Sequence, residues 1–108
     1  MTRNKEIATT ILNQLGGNRF IVMTGARQFV AVENGLQLDL PRKAHFVKNG
    51  INRIVIRLNG SDLYDLTAMR IVTRNSIPTV STVSEHTDLY CDMLQDTFTD
   101  ITGLNTHL

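Results

Sequence analysis

The fold turns on Phe29-Val30-Ala31-Val32-Glu33-Asn34-Gly35-Leu36-Gln37-Leu38-Asp39-Leu40. Asn-Gly between two alternating runs is a strong hairpin signal, because a type I′ turn needs positive φ at both central positions. A two-residue turn at Asn34-Gly35 pairs Glu33 with Leu36. Ala31 then faces Leu38, and Phe29 faces Leu40. Phe29, Ala31, Leu36, Leu38 and Leu40 therefore share one face. Turn chemistry and hydrophobic pattern agree on an antiparallel hairpin with one buried side.

Downstream, Pro41 ends the second strand, and Pro41-Arg42-Lys43-Ala44-His45-Phe46-Val47-Lys48-Asn49-Gly50 reads as a cationic loop. Ile51 to Leu58 is the next strand. A three-residue loop, Asn59-Gly60-Ser61, sets Tyr64 against Ile56 and Leu66 against Ile54, with a bulge. A strand over 63–72 runs to a polar break at Thr73-Arg74-Asn75-Ser76. Residues 77–84 are β-branched, and Pro78 places them at an edge or a bulge. Thr87 or Asp88 then caps a helix to about Thr102, stopped by Gly103. Its buried stripe is Tyr90 or Cys91, Leu94, Phe98 and Ile101.

Upstream, the compact apolar run Phe20-Ile21-Val22-Met23-Thr24 reads as a buried strand. It is followed by a tight turn, Thr24-Gly25-Ala26-Arg27. Residues 5–15 form a short amphipathic helix, capped by Asn4 or Thr2 and stopped by Gly16-Gly17. The predicted fold is α+β: an antiparallel meander sheet of about six strands with an N-terminal and a C-terminal helix packed on one face. The chain, 108 residues long, is expected to be a single domain over 1–108.

Composition narrows the function. Apolar residues make up 42% and charged residues 19%, which suits a globule rather than a disordered chain. A net charge of +1 argues against indiscriminate coating of nucleic acid. The polar start leads straight into the first helix, and no run reaches the ~18 apolar residues of a membrane span. A cytoplasmic protein without membrane contact is expected. The single cysteine, Cys91, excludes an internal disulfide and a cysteine zinc cluster.

The near-neutral total hides two opposite halves. Residues 1–58 carry nine Lys and Arg against three Asp and Glu, a sum of +6. Residues 59–108 carry two against seven, a sum of −5. In the acidic half, Asp88, Asp92, Asp96 and Asp100 recur every four residues. On one helix they would form a row, each pair repelling by a few tenths of a kcal/mol. Such an acidic stripe suits a basic partner; a plain solvated face is the alternative. In the basic half, Arg42, Lys43, Lys48, Arg53 and Arg57 suit phosphates. Arg53 and Arg57 equally suit flanking Asp65 across a strand pair.

No catalytic pattern is present. His45, His86 and His107 lack metal-ligand spacing, and aspartates along a helix lie about 6 Å apart per turn instead of converging. Cys91 with His86 could form a nucleophile pair, although a small thiol beside an apolar stripe reads first as core. No cofactor or metal is expected.

Two runs, Ile11-Leu12-Asn13-Gln14-Leu15-Gly16-Gly17-Asn18-Arg19-Phe20 and Met23-Thr24-Gly25-Ala26-Arg27-Gln28-Phe29, resemble a family of small proteins carried by phages, plasmids and other bacterial mobile elements. So do Glu33-Asn34-Gly35-Leu36, Leu40-Pro41-Arg42, Asp62-Leu63-Tyr64-Asp65 with Arg70-Ile71, Tyr90-Cys91-Asp92-Met93-Leu94 and Thr102-Gly103-Leu104. The resemblance spans nearly the whole chain. It implies a genetic setting, an accessory gene in a bacterial host, and no catalytic residues. The function expected is therefore a non-enzymatic accessory binding protein that docks on a host or phage protein through charged surfaces. Inhibition of a host defence or nucleic-acid-processing protein would be one such role. The alternatives are a nucleic-acid-binding protein using the basic loop and strand, and a small enzyme with Cys/His or metal-carboxylate chemistry. The oppositely charged halves would also let subunits meet as a homo-oligomer.

Overall fold

The computed structural model describes residues 2–40 and 50–104. Five strands form one antiparallel meander in the order β1-β2-β3-β4-β5. They are β1 (Arg27–Val32), β2 (Gly35–Asp39), β3 (Arg53–Leu58), β4 (Tyr64–Arg74) and β5 (Ile77–Leu89). Among the described residues three α-helices accompany them: α1 (Thr2–Leu15), α2 (Asn18–Thr24) and α3 (Leu94–Thr102), the last preceded by a 3-10 turn over Cys91–Met93. Helix α1 lies on β1 and β2 and touches α3.

Alternation builds the core. Leu36, Leu38, Ile54, Ile56, Tyr64, Leu66 and Ala68 point from the three central strands toward Ile11, Leu15, Phe20, Leu94 and Phe98 of the helices. The rings of Phe20 and Phe98 meet edge to face, 5.0 Å apart, where α2 and α3 cross the core.

Four expectations are corrected. First, Phe20 to Thr24 is part of α2, so the sheet has five strands rather than six. A short apolar run fits either period, and the burial shows which operates here. Phe20 and Thr24 are buried while Val22 is 81% exposed, a helical pattern in which the alternate residue faces solvent. Thr24 Oγ1 donates to the Phe20 carbonyl and accepts from the Ala26 amide. Gly25 closes the helix at φ 71°, so the expected turn at 24–27 is a helix C-cap.

Second, the deciding hairpin turns at Glu33-Asn34, with Val32 opposite Gly35 and Ala31 opposite Leu36. The offset is two residues, so every side chain keeps its face. Asn34 takes the positive φ, 57°, while Gly35 sits inside β2. There a Cβ would run into the Ile56 carbonyl oxygen and the Arg57 side chain. The glycine serves the contact with β3 and not the turn.

Third, the β3–β4 connection is five residues, 59–63, with Leu58 opposite Tyr64 and Ile56 opposite Leu66. Asn59 holds it: its Oδ1 accepts from the amides of Ser61 and Leu63 at 2.8 and 3.2 Å.

Fourth, the helix expected from Thr87 or Asp88 begins only at Leu94. Residues up to Leu89 stay in β5, because His86 and Leu89 pair with Leu66 and Tyr64 of β4. Tyr90 and Cys91 turn outward and are exposed, so the expected core position for Cys91 is not what forms. Of the predicted stripe, Leu94 and Phe98 are fully buried and Ile101 packs against the core. Pro78 lies, as expected, on an edge strand.

Candidate functional site

The aspartate row does not form on one helix. Asp88 belongs to β5, Asp92 to the 3-10 turn, and Asp96 and Asp100 to α3. Asp88 takes φ 57° in a bulge. Its carboxylate accepts from Asn59 Nδ2 at 3.0 Å, and its amide donates to Asp65 Oδ1 at 3.1 Å. Asp96 falls in the first turn of α3, where the helix dipole favours a carboxylate. Asp92, Asp96 and Asp100 remain exposed.

The basic set is divided too. Arg42, Lys43 and Lys48, with His45, lie outside the described residues, as does His107. Arg53 and Arg57 lie on the sheet face turned away from the helices, where Arg53 binds a carboxylate and Arg57 has one as its cross-strand neighbour. Arg53 Nε donates to Asp39 Oδ1 at 2.8 Å, and Nη2 reaches Oδ2 at 3.4 Å. That hydrogen bond holds the Arg53 pKa above its ordinary value. Arg57 stands directly opposite Asp65. Register thus lays Arg27, Asp39 and Arg53 in one row across β1, β2 and β3. An anion approaching this face competes with carboxylates already in place.

The element without such neutralisation is the far half of the β4–β5 hairpin. Strand β3 pairs with β4 only as far as Met69, yet the β4–β5 ladder continues to Arg74 and Ile77. Asn52 extends the support a little. Its side chain donates to the Ile71 carbonyl and accepts from the Ile71 amide, both at 2.8 Å, in the manner of one more strand residue. Among the described residues no third strand accompanies the ribbon beyond Ile71, and three more residues carry it roughly 10 Å further. Asn75 and Ser76 form its tip with φ of 52° and 66°, the type I′ pattern.

Residues 73–82 are all exposed. One face of the ribbon carries Arg70, Val72 and Arg74 opposite Ser81, Thr79 and Ile77. The other carries Ile71 and Thr73 opposite Val80 and Pro78. Ile77 and Val80 are 67% and 57% exposed. Between Asp65 and Glu85 the chain has no carboxylate. The ribbon is therefore a cationic, partly apolar projection with hydroxyls along it. Length mismatch between neighbouring strands is what creates it. In the sequence the signal is the uncharged, β-branched run 77–84 facing a strand that outlasts β3.

His86 lies in β5, half-buried, and Cys91 is exposed at the 3-10 turn. Among the described residues, no three His, Cys, Asp or Glu side chains are placed to hold a metal ion. Nor is any described helix long and apolar enough to cross a membrane. Compared with protein-family models, curated proteins and solved structures, the chain has no match.

Proposed function

We propose that this protein is a non-enzymatic accessory binding protein, serving a bacterial mobile element, whose contact element is the β4–β5 ribbon. The observation that supports this is the ribbon itself. Residues 73–79 are exposed beyond the last strand that braces them, and Arg70 at the base of the ribbon and Arg74 near its tip have no carboxylate opposite them on β5. Cation, hydroxyl and exposed apolar side chains together match the composition of protein contact sites, where arginine and apolar anchors carry most of the energy. The partner is a protein with an acidic surface; Arg70 and Arg74 set the approach, and Ile77 on the same face supplies the apolar contact.

Affinity capture from a bacterial host lysate, with and without nuclease treatment, tests this. The expected result is a protein retained after nuclease treatment and lost when Arg70→Glu and Arg74→Glu are combined. Retention by that double variant would overturn the ribbon as contact element. Loss of the captured material on nuclease treatment would instead make nucleic acid the ligand of the same arginines.

A further inference from the structure

We propose that two copies of this chain join through β5, antiparallel, about a two-fold axis that passes through Val80 perpendicular to the sheet. This inference rests on the edge of the sheet and stands apart from the proposed function. Strand β5 is an edge strand thirteen residues long, more than twice the length of the opposite edge, β1. An edge strand leaves a row of backbone N–H and C=O groups on its outer side that water satisfies singly and another strand can pair along its length. Soluble proteins guard long edges with charge, proline or bulges, and β5 has Pro78 near its start and a bulge at Val83. Residues 77–84, Ile-Pro-Thr-Val-Ser-Thr-Val-Ser, carry no charge.

The sequence of that edge fits itself. Antiparallel pairing about an axis normal to the sheet keeps each side chain on its own face, so partners must share a face. With Val80 on the axis, Val80 meets Val80 of the partner subunit. Thr79 meets Ser81 of the partner subunit, Pro78 meets Thr82 of the partner subunit, and Ile77 meets Val83 of the partner subunit. Every pair is uncharged, and both exposed apolar residues of β5 gain a neighbour. Pro78 lacks a donor, but it lies toward the ends of the new ladder and leaves the centre intact. The opposite edge offers less: β1 is six residues long and interrupted by a bulge at Gln28, φ 56°, whereas β5 runs without a register shift from Ile77 to Thr82, its own bulges lying at Val83 and at 87–88. The joined sheet is continuous, with the helices of both copies on one side and the two ribbons side by side.

Light scattering during size-exclusion chromatography of the full chain reads the outcome directly. The wild type is expected at twice the chain mass. Val80→Lys sets two lysines against each other on the axis and is expected at the chain mass, with an unchanged circular dichroism spectrum. Val80→Thr is expected to stay dimeric. In a Cys91→Ser background, Val80→Cys is expected to cross-link to a dimer on oxidation, while a cysteine at Val30 on the opposite edge is not. A wild type at the chain mass at every concentration overturns the proposal. So does an assembly larger than two, a Val80→Lys variant that remains dimeric, or cross-linking at Val30 in place of Val80.

Discussion

At the residue scale, Gly35 shows how one atom decides strand spacing. It has no room for a side chain, because β2 and β3 approach closely beside the Ile56 carbonyl. Gly35→Ala is expected to cost ~1–3 kcal/mol by overpacking, measured by denaturant unfolding, with the β-sheet signal of the folded state retained. Tyr64 makes a second prediction. Burial raises its phenol pKa above the ordinary 10.0; a hydrogen bond from Gln14 lowers it, and nearby Cys91 raises it further. The native state therefore favours the neutral phenol more than the unfolded chain does. Its contribution is fully present below pH 10.0 and is lost as pH rises through the raised native value. Unfolding free energy measured against pH is expected to fall above pH 10.0 in the wild type and to fall less in Tyr64→Phe.

At the element scale, two helices end by the same device. Phe20-Ile21-Val22-Met23-Thr24-Gly25 and Phe98-Thr99-Asp100-Ile101-Thr102-Gly103 each bury a phenylalanine and a threonine one turn apart. Each threonine donates to the phenylalanine carbonyl at 2.8 Å and accepts from the amide beyond the glycine. The stop at Gly103 is legible in sequence because a helical stripe leads up to it. The stop at Gly25 is hidden, because β-branched Ile21 and Val22 suggest a strand. The ribbon tip is the opposite case, an element with no part in the core. Replacing residues 72–79 by an Asn-Gly turn that joins Ile71 to Val80 is expected to change stability by less than about 1 kcal/mol, since surface changes of this kind touch no buried contact. The same variant should abolish partner capture. A large drop in melting temperature would show that the tip braces the fold.

At the scale of the whole molecule, the core is a single cluster that runs from α1 and α2 through the sheet to α3. Phe98 is fully buried at its centre and meets the Phe20 ring edge to face. Phe98→Ala is expected to cost ~3–5 kcal/mol, a large share of the ~5–15 kcal/mol that holds a domain together. Chemical denaturation followed by circular dichroism checks this. The charge halves behave differently in the fold from how they read along the chain. Asp39 neutralises Arg53 and Asp65 faces Arg57, so part of the basic half is cancelled within the sheet. Arg70 and Arg74, which belong to the acidic half by position, stand apart from carboxylates on the ribbon.

The sequence by itself determined the antiparallel meander, the buried face of β2, β3 and β4, the edge position of Pro78 and the glycine end of the last helix. These follow from local rules: alternation with period two, the missing proline donor, and glycine's ease at positive φ. Both misjudged turns slipped by two residues, an error to which the side-chain faces are blind. Only the tertiary structure decided that 18–24 is helical, that Asp88 leaves the aspartate row, and that a cationic ribbon outruns the sheet. Each of these depends on which strand or helix lies alongside, and a neighbour brought near by folding leaves no local mark in the chain.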